Sequence, residues 1–425
     1  MYKYCFTLLL FLFFFISKAQ TPISTKERVK TEKDTVKKKE FLKQIGNGYF
    51  PLKYFNIDLR YLVKFNQYEG FRTGLGGITN KSFSKRIRLN TYVVYGFRDN
   101  TFKYSFGAGY KVAQKTNTWI NASYTDDLQE TGSTQFLTDK RTFQFFEPRL
   151  LNIELFYKHI TKTISLEHEI TPKLISEIEL AHSDIDPTFN YEFVINNNEY
   201  HTFHISTTKI ALRWSPSDIY ETLVDNVRLI KDAFPKFTLQ FTKSYSDILN
   251  SDFNFYKVDF KAIHKIDYKN NASTHLLLTS GIAIGETPLT HLYHAYPNNN
   301  TKETIMQRFS VAGINSFETM FFNEFFSDRF VILQFKQAIS PFKISKKFKP
   351  QLVLISRFAL GNMNHIERHQ NISFNTLEKG YTESGFEINK LLFGFGLSFS
   401  YRYGAYHLPE IEDNIAFKFT FNITL

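Results

Sequence analysis

The stretch Phe102-Lys103-Tyr104-Ser105-Phe106-Gly107-Ala108-Gly109-Tyr110-Lys111-Val112 places an apolar or aromatic residue at every even position. Every odd position is polar or glycine. A repeat of two is the side-chain period of a β-strand, so one face of this segment is oily and the other wet. The same pattern runs through Leu391 to Tyr403, and again through Ile415 to Leu425, where Ile415, Phe417, Phe419, Phe421, Ile423 and Leu425 oppose Lys418, Thr420, Asn422 and Thr424.

Soluble sandwiches alternate as well, but three features point elsewhere. Ser84 to Phe97 and Phe253 to Ile266 run well past the five or six residues usual for a soluble strand and reach the roughly 9–11 needed to cross a bilayer. The apolar face is aromatic-rich, as interfacial girdles are; the chain holds 47 Phe and 24 Tyr but 2 Trp. The opposite face carries Lys, Arg, Asn, Ser and Gly, which suits a wet lumen. In hydrocarbon every backbone N–H and C=O must be paired, and strands achieve that only as a closed sheet. The expected fold is therefore all-β, a transmembrane antiparallel up-and-down barrel.

Strands are expected near 69–79, 83–97, 102–113, 117–126, 162–171, 173–183, 188–196, 200–214, 236–246, 253–267, 272–284, 306–317, 328–339, 349–360, 386–403 and 413–425. That makes about sixteen, with fourteen as the alternative if 188–196 and 306–317 fail. An even number puts both ends in the periplasm. Residues 127–150 and 361–385 are the long connections, and Ser217 to Asp232 carries a Ser-Asp start and apolar spacing compatible with a short helix.

The first residues, MYKYCFTLLLFLFFFISKAQ, combine Lys3, an apolar stretch from Cys5 to Ile16 and small residues at Ser17 and Ala19. This is the layout of a secretory signal, with cleavage expected after Ala19. Residues 1–19 are thus the signal peptide, 20–48 a basic periplasmic linker and 49–425 the barrel. The linker segment 26–43 holds eight Lys/Arg and four Asp/Glu, which reads as a solvated tether, the alternative being a patch that rests on anionic lipid head groups. Cys5 is the single cysteine of the 425 residues, so no disulfide framework exists and burial and backbone pairing hold the fold. Outside the first 16 residues no apolar run exceeds four, which excludes helical spans. The formal charge of +11 suits lipid or lipopolysaccharide phosphates, and export argues against nucleic acid. Outer-membrane lipid, lipopolysaccharide and, during insertion, the barrel-assembly machinery are the expected partners.

Motifs of catalysis are scarce. His201-x-x-His204 and His291-x-x-His294 place two rings on opposite faces of a strand, and His365-Ile-Glu-Arg-His369 departs from the zinc-protease spacing. No G-x-S-x-G elbow or P-loop occurs in the sequence. A barrel-embedded hydrolase would need Ser and His on facing strands. Gly74-Leu75-Gly76-Gly77 reads as small residues where another part of the chain packs closely. No catalytic, cofactor-binding or metal residue is expected, and the protein reads as non-enzymatic. Arg86, Arg88, Lys103, Lys111 and Lys418 would line the lumen and favour anionic solutes if it were open.

Several segments in order resemble one family of Gram-negative outer-membrane barrels of unknown function. They are Gly48-Tyr49-Phe50-Pro51, Phe65 to Arg72, Thr79-Asn80 with Phe83-Ser84-Lys85, Tyr95 to Asp99, Phe102-Lys103-Tyr104, Gly285 to Leu289, Phe322 to Arg329, and Glu383 to Phe386. Members usually follow a carboxypeptidase-regulatory-like β-sandwich; in this sequence the short tether stands in that place. The resemblance implies structural roles for Glu69, Gly70, Phe71, Arg72, Asn323, Glu324, Phe325, Ser327, Asp328, Arg329, Glu383, Ser384 and Gly385, and a structural, envelope or solute-passage role for the whole. The chain is more distantly similar to surface-antigen-type assembly and translocation barrels, which implies an accessory role in outer-membrane assembly as the alternative. Those barrels carry an Arg-Gly-aromatic motif on a loop folded into the lumen, and this sequence has no Arg-Gly dipeptide.

Overall fold

The computed structural model describes residues 38, 41–42, 44–139, 148–223, 226–301, 310–345, 348–392 and 394–421. The expected signal, most of the linker and the last four residues lie outside them.

Sixteen strands follow one another in an antiparallel meander. They are β1 (Phe55–Asp58 and Val63–Asn66), β2 (Gly70–Thr79), β3 (Ile87–Gly96), β4 (Thr101–Ala113), β5 (Thr118–Glu130), β6 (Phe156–Thr171), β7 (Leu174–Pro187) and β8 (Phe203–Trp214). The second half comprises β9 (Lys236–Ser244), β10 (Phe255–Asp267), β11 (Ser273–Gly285), β12 (Arg329–Ala338), β13 (Gln351–Asn362), β14 (Tyr381–Leu392), β15 (Phe395–Tyr403) and β16 (Ile415–Phe421). Each pairs with its sequence neighbours, from Ile57↔Gly77 through Ile210↔Phe241 to Phe399↔Phe417. None of the described helices is long and apolar enough to cross a membrane.

The side chains are sorted inside out. Phe71 and Leu75 are 61% and 64% exposed, and Phe102, Phe106 and Tyr110 of β4 also face outward, while Lys103, Arg357, Arg402 and Lys418 are 1–3% exposed. Oil outside and charge inside is the reverse of a water-soluble core and fits a hydrocarbon surround. The period-two expectation for β4 holds residue by residue.

The total of sixteen agrees with the expectation, though two members differ. Residues 188–196 form no barrel strand; Glu192–Ile195 instead joins Asn198–Tyr200 and His369–Gln370 in a small sheet outside the barrel wall. Among the described residues the expected strand 306–317 also forms no strand of the meander. Its residues 306–309 lie outside the described ones, Ser310–Val311 pairs parallel to β16, and Phe317–Phe321 pairs parallel to Pro297–Asn299. Two strands replace them. Phe55–Asn66 is one strand broken by the 3-10 turn Leu59–Tyr61, whose Tyr61 ring lies over Gly76, where a Cβ would meet it at 2.5 Å. The stretch 386–403 divides into β14 and β15, with Gly394 at φ +86° turning the chain. Alternation continues through that turn in sequence, so nothing in the pattern marked it. The segment Ser217 to Asp232 is a β-hairpin of Ile219–Leu223 and Asn226–Lys231, not a helix. Ile219, Thr222, Val227 and Ile230 are β-branched, and such residues lose side-chain freedom in a helix.

Among the described residues no ladder joins β1 to β16. Tyr49–Pro51 covers the outer edge of β1, and Ser310–Val311 lies against the edge of β16. Both free edges are thus occupied by short pieces of the chain itself, as exposed edges require.

Leu333 faces outward halfway along β12. A Leu333→Arg substitution is expected to destabilise the barrel in lipid vesicles by about 2–4 kcal/mol, the cost of a cation at mid-bilayer. Equilibrium unfolding in vesicles checks this, and a change near zero would put that face in water.

Candidate functional site

Residues 286–328 connect β11 to β12, and their described parts, 286–301 and 310–328, turn back into the barrel. Within them Tyr293–His294 pairs with Phe326–Ser327, and Pro297–Asn299 pairs with Phe317–Phe321. The segment so brings its own partners for its backbone groups, which a chain crossing a lumen must do. Phe317, Met320 and Phe325 are fully buried against Ile332, Ala359 and Tyr381 of the wall and Leu377 of the 363–380 connection.

Charge then fixes the position. Glu318 of the inserted segment meets Lys418 of β16 at 3.0 Å, both side chains 1% exposed. Its carboxylate also accepts from Asn298 Nδ2 at 2.8 Å, the Gly313 N–H at 3.0 Å and Ser316 Oγ at 2.8 Å. Burial alone would raise the Glu318 pKa, but Lys418 and Arg357 outweigh it and hold the group below the usual carboxylate range. Next along the chain, the Thr319 N–H and Oγ1 donate to Glu383 Oε2 of β14 at 2.7 and 2.6 Å, and Arg357 of β13 binds the other oxygen of Glu383. Glu324 receives Arg402 of β15 through two bonds, 2.6 and 3.1 Å. Such a two-pronged pair fixes direction as well as distance. The inserted segment supplies Glu318 and Glu324, β14 supplies Glu383, and β13, β15 and β16 supply the cations.

A second piece enters from the connection between β5 and β6. Residues 131–139 pass beside the first, with the Gly132 N–H donating to Thr290 O at 3.2 Å. They reach the far wall, where the Leu137 N–H donates to Gln240 Oε1 at 3.0 Å and Asp139 pairs with Lys261 at 2.7 Å. Arg149 ties this connection to Glu130 at 2.6 Å and to Pro297 O at 2.9 Å. Between the two insertions remains a cavity of about 350 Å³, lined by Phe136, Asp139, Lys261, Tyr293 and His294 among others. The 363–380 connection lies over the same end, where the Phe326 N–H donates to Asn375 O and the Asn375 N–H to Glu324 O. There Tyr191, Phe193, Phe203, Phe253, Phe255 and Leu292 form the largest apolar cluster.

The lumenal cations expected to attract anionic solutes are engaged. Lys103 pairs with Glu69 at 2.7 Å and also with Asp99, Arg88 with Glu167 at 2.6 Å, and Lys418 with Glu318. Lys111 lies over the Trp119 ring at 5.2 Å. Arg86 sits exposed before β3 and lines nothing.

The family-motif residues fall into two groups. Glu69 is 1% exposed in the turn after β1, where it accepts from Asn66 and faces Arg72, which binds Asp127 of β5 through bonds of 2.6 and 2.8 Å. Gly70 takes φ +66° there, and Phe71 points outward. The second group clusters on the inserted segment. Asn323 takes φ +63°, Glu324 binds Arg402, and Phe325 packs edge-on to Tyr381 and Tyr406. Ser327 is buried, Asp328 accepts the Asn364 N–H at 2.7 Å, and Arg329 contacts Asp328 and Asn364. Glu383 is fully buried under Thr319, Ser384 meets Ser356 and Tyr403 on the outer side, and Gly385 allows β15 to approach, since a Cβ would stand 2.0 Å from Phe399 O. Sequence reasoning found Glu324 and Glu383 but missed Glu318, Thr319, Arg357 and Arg402. The placement of wall cations on neighbouring strands opposite one loop is visible only in three dimensions.

The histidines part company. His201 stands beside Glu192 at 3.7 Å, whereas His204 points to Asp184 at 2.6 Å. His294 stacks on Phe326, His365 contacts Glu367 at 3.1 Å, and His369 meets Tyr191 OH at 2.8 Å.

The family described as "Family of unknown function (DUF5686) C-terminal domain" matches residues 52–301, more than half of the chain. No curated protein matches the sequence. Among solved structures, BamA from Haemophilus ducreyi lacking POTRA domains 1–3 is similar at 11% identity and TM-score 0.51, over 84% of this chain and 68% of that one. CdiB from Acinetobacter baumannii aligns at 11% identity and TM-score 0.44, over 84% and 57% of the two chains, and CdiB from Escherichia coli at 8% and 0.45, over 83% and 60%. The chain thus spans between 57% and 68% of the length of these structures. The likeness to BamA is one of fold, and it bears out the more distant surface-antigen resemblance at that level.

Two outcomes follow. Glu324→Gln or Arg402→Met leaves the partner charge buried and uncompensated and is expected to cost about 3–5 kcal/mol, while the Glu324→Gln, Arg402→Met double variant recovers most of it. Unfolding of the four proteins in detergent measures the coupling, and additive losses would refute it. Burial, aided by Lys257 for His291 and by Arg368 for His369, lowers each imidazole to about 3. Both rings are therefore neutral when folded, whereas an exposed ring takes a proton near pH 6.5. Stability is full above about pH 6.5 and falls by up to ~1.4 kcal/mol per ring per unit as pH drops toward 3. Thermal unfolding at pH 7.5 and 5.0 is expected to show a lower Tm at the acid value and a smaller drop in a His291→Gln, His369→Gln variant, and an equal drop in both proteins would refute it.

Proposed function

The chain belongs to the DUF5686 C-terminal domain family, and from that premise and its filled lumen we propose that it is an integral outer-membrane barrel with a structural, envelope-maintaining role and no open channel. The observation that carries this reading is the matched set Glu318–Lys418, Glu383–Thr319 and Glu324–Arg402, which holds the 286–328 connection across the lumen. A conduction pathway would have to break buried charge pairs, each costly to leave half-made. The outward apolar surface supports residence in the outer membrane, in contact with its lipid and lipopolysaccharide and reached with help from the barrel-assembly machinery. Export by residues 1–19 with cleavage after Ala19, a linker over 20–48 and a non-enzymatic role complete the reading. The motif residues Glu69 to Arg72, Asn323 to Arg329 and Glu383 to Gly385 serve in it as structural fasteners.

One observation favours a second reading, an accessory role in assembly or translocation. Among the described residues, the edges of β1 and β16 are covered by the three residues Tyr49–Pro51 and the two residues Ser310–Val311. Strand edges with unpaired backbone groups accept added strands from other chains.

Purified protein in planar bilayers is expected to give no steady conductance, and Glu318→Gln with Glu324→Gln to give intermittent opening. A steady channel in the unaltered protein would refute the plugged reading. In a deletion strain, an unchanged outer-membrane proteome supports the structural role, and loss of other barrels would favour the accessory one.

A further inference from the structure

We propose that His182, Asp184 and His204 form a binding site for a divalent transition-metal ion of the zinc class on the outer rim of the barrel. β7 and β8 are in register with His204 directly opposite Asp184, and with His182 two residues along the same face. Side chains two apart on a strand point the same way, so all three project outward together. One ligand atom from each residue lies within 4.8 Å of the other two. Asp184 Oδ1 stands 2.6 Å from His204 Nδ1 and 3.6 Å from His182 Nε2. Bonds of about 2.0–2.2 Å to a tetrahedral ion put ligand atoms roughly 3.4 Å apart, so small side-chain rotations complete the set.

The surroundings prepare one ring for the task. Ser206 Oγ donates to Ile248 O at 2.8 Å and therefore accepts from His182 Nδ1 at 2.9 Å. That bond keeps the proton on Nδ1 and leaves Nε2 with a free lone pair on the side of Asp184, the outer-sphere arrangement that metal-binding histidines use. The His204 backbone is held in turn by Asp252, whose Oδ2 accepts its N–H at 2.6 Å. The two rings lie nearly parallel, 13° between planes.

The location suits exchange with the medium. Along β7 the outward residues change from Ile178 and Leu180 to His182, Asp184 and Asp186, and along β8 from Ile210 to Thr208, Ser206 and His204. The site stands just beyond the apolar band. Its side chains are 18%, 37% and 51% exposed for His182, Asp184 and His204. Lys162, opposite His182 on β6, is exposed and its long stem can carry its charge away. Two imidazoles and one carboxylate select borderline ions such as Zn²⁺, Co²⁺ or Ni²⁺ over Mg²⁺ or Ca²⁺, and three protein ligands leave coordination positions for water.

The test is calorimetric titration of ZnCl₂ into the detergent-solubilised protein prepared without an oligohistidine tag, with Co²⁺ absorption as a second readout. One ion per chain is expected. His204→Ala and Asp184→Asn should each weaken it at least tenfold, Ser206→Ala about 10–100-fold, and His365→Ala with His369→Ala should leave it unchanged. All variants must keep the heat-modifiable migration of the folded barrel, which separates loss of the site from loss of the fold. Absence of stoichiometric binding, or binding that survives His204→Ala and Asp184→Asn, would overturn the proposal.

Discussion

Pairing of buried charge across the lumen organises this protein. A barrel wall must present polar side chains inward once its outer face is given to lipid, and bare cations in a narrow, partly dehydrated lumen repel one another. Here Arg357, Arg402 and Lys418 crowd the inner face of neighbouring strands, and the chain answers them with Glu383 from the wall and Glu318 and Glu324 from an inserted segment. Replacing the set by apolar residues could give equal stability. The charged version has another virtue, since it specifies one docking position for a loop that hydrophobic contact alone would hold loosely.

The insertion in turn shapes the last-strand end of the sheet. Ser310–Val311 leaves the plug to lie along β16, with the Ala312 N–H donating to Phe419 O at 2.7 Å, and Asn298 Nδ2 donates to Val311 O from the interior at 3.1 Å. Plug and seam are therefore one mechanical unit: an outward displacement of the 286–328 connection would bare the edge of the last strand.

Much of the barrel was legible from period two alone, because a two-sided sheet between oil and water writes its geometry directly into alternation. Legibility failed where geometry departs from that rule. β1 is broken by a turn at Leu59–Tyr61, so its halves never alternate long enough to read. The turn at Gly394 preserves parity from Leu391 to Phe395 and hid a hairpin inside one long pattern. The strand expected at 306–317 runs into Phe317–Phe321, which is plug and not wall, because its Glu318 and Thr319 find buried partners on the inner face of the barrel. Of the site, Glu324 and Glu383 were reached through family motifs, while Arg357 and Arg402 looked like ordinary lumenal cations. The His182, Asp184 and His204 cluster spans two strands whose register no motif encodes.

The most direct test of the central claim is chemical crosslinking in intact cells. With Cys5 replaced, cysteines at Phe317 and Tyr381, which pack ring against ring beside the charge pairs, are treated with a short bifunctional thiol reagent, and the product is followed by its migration before and after boiling. A plug docked on the wall predicts near-complete crosslinking with the folded migration retained. Two cysteines that are each labelled separately by a water-soluble maleimide, with no crosslink, would contradict it.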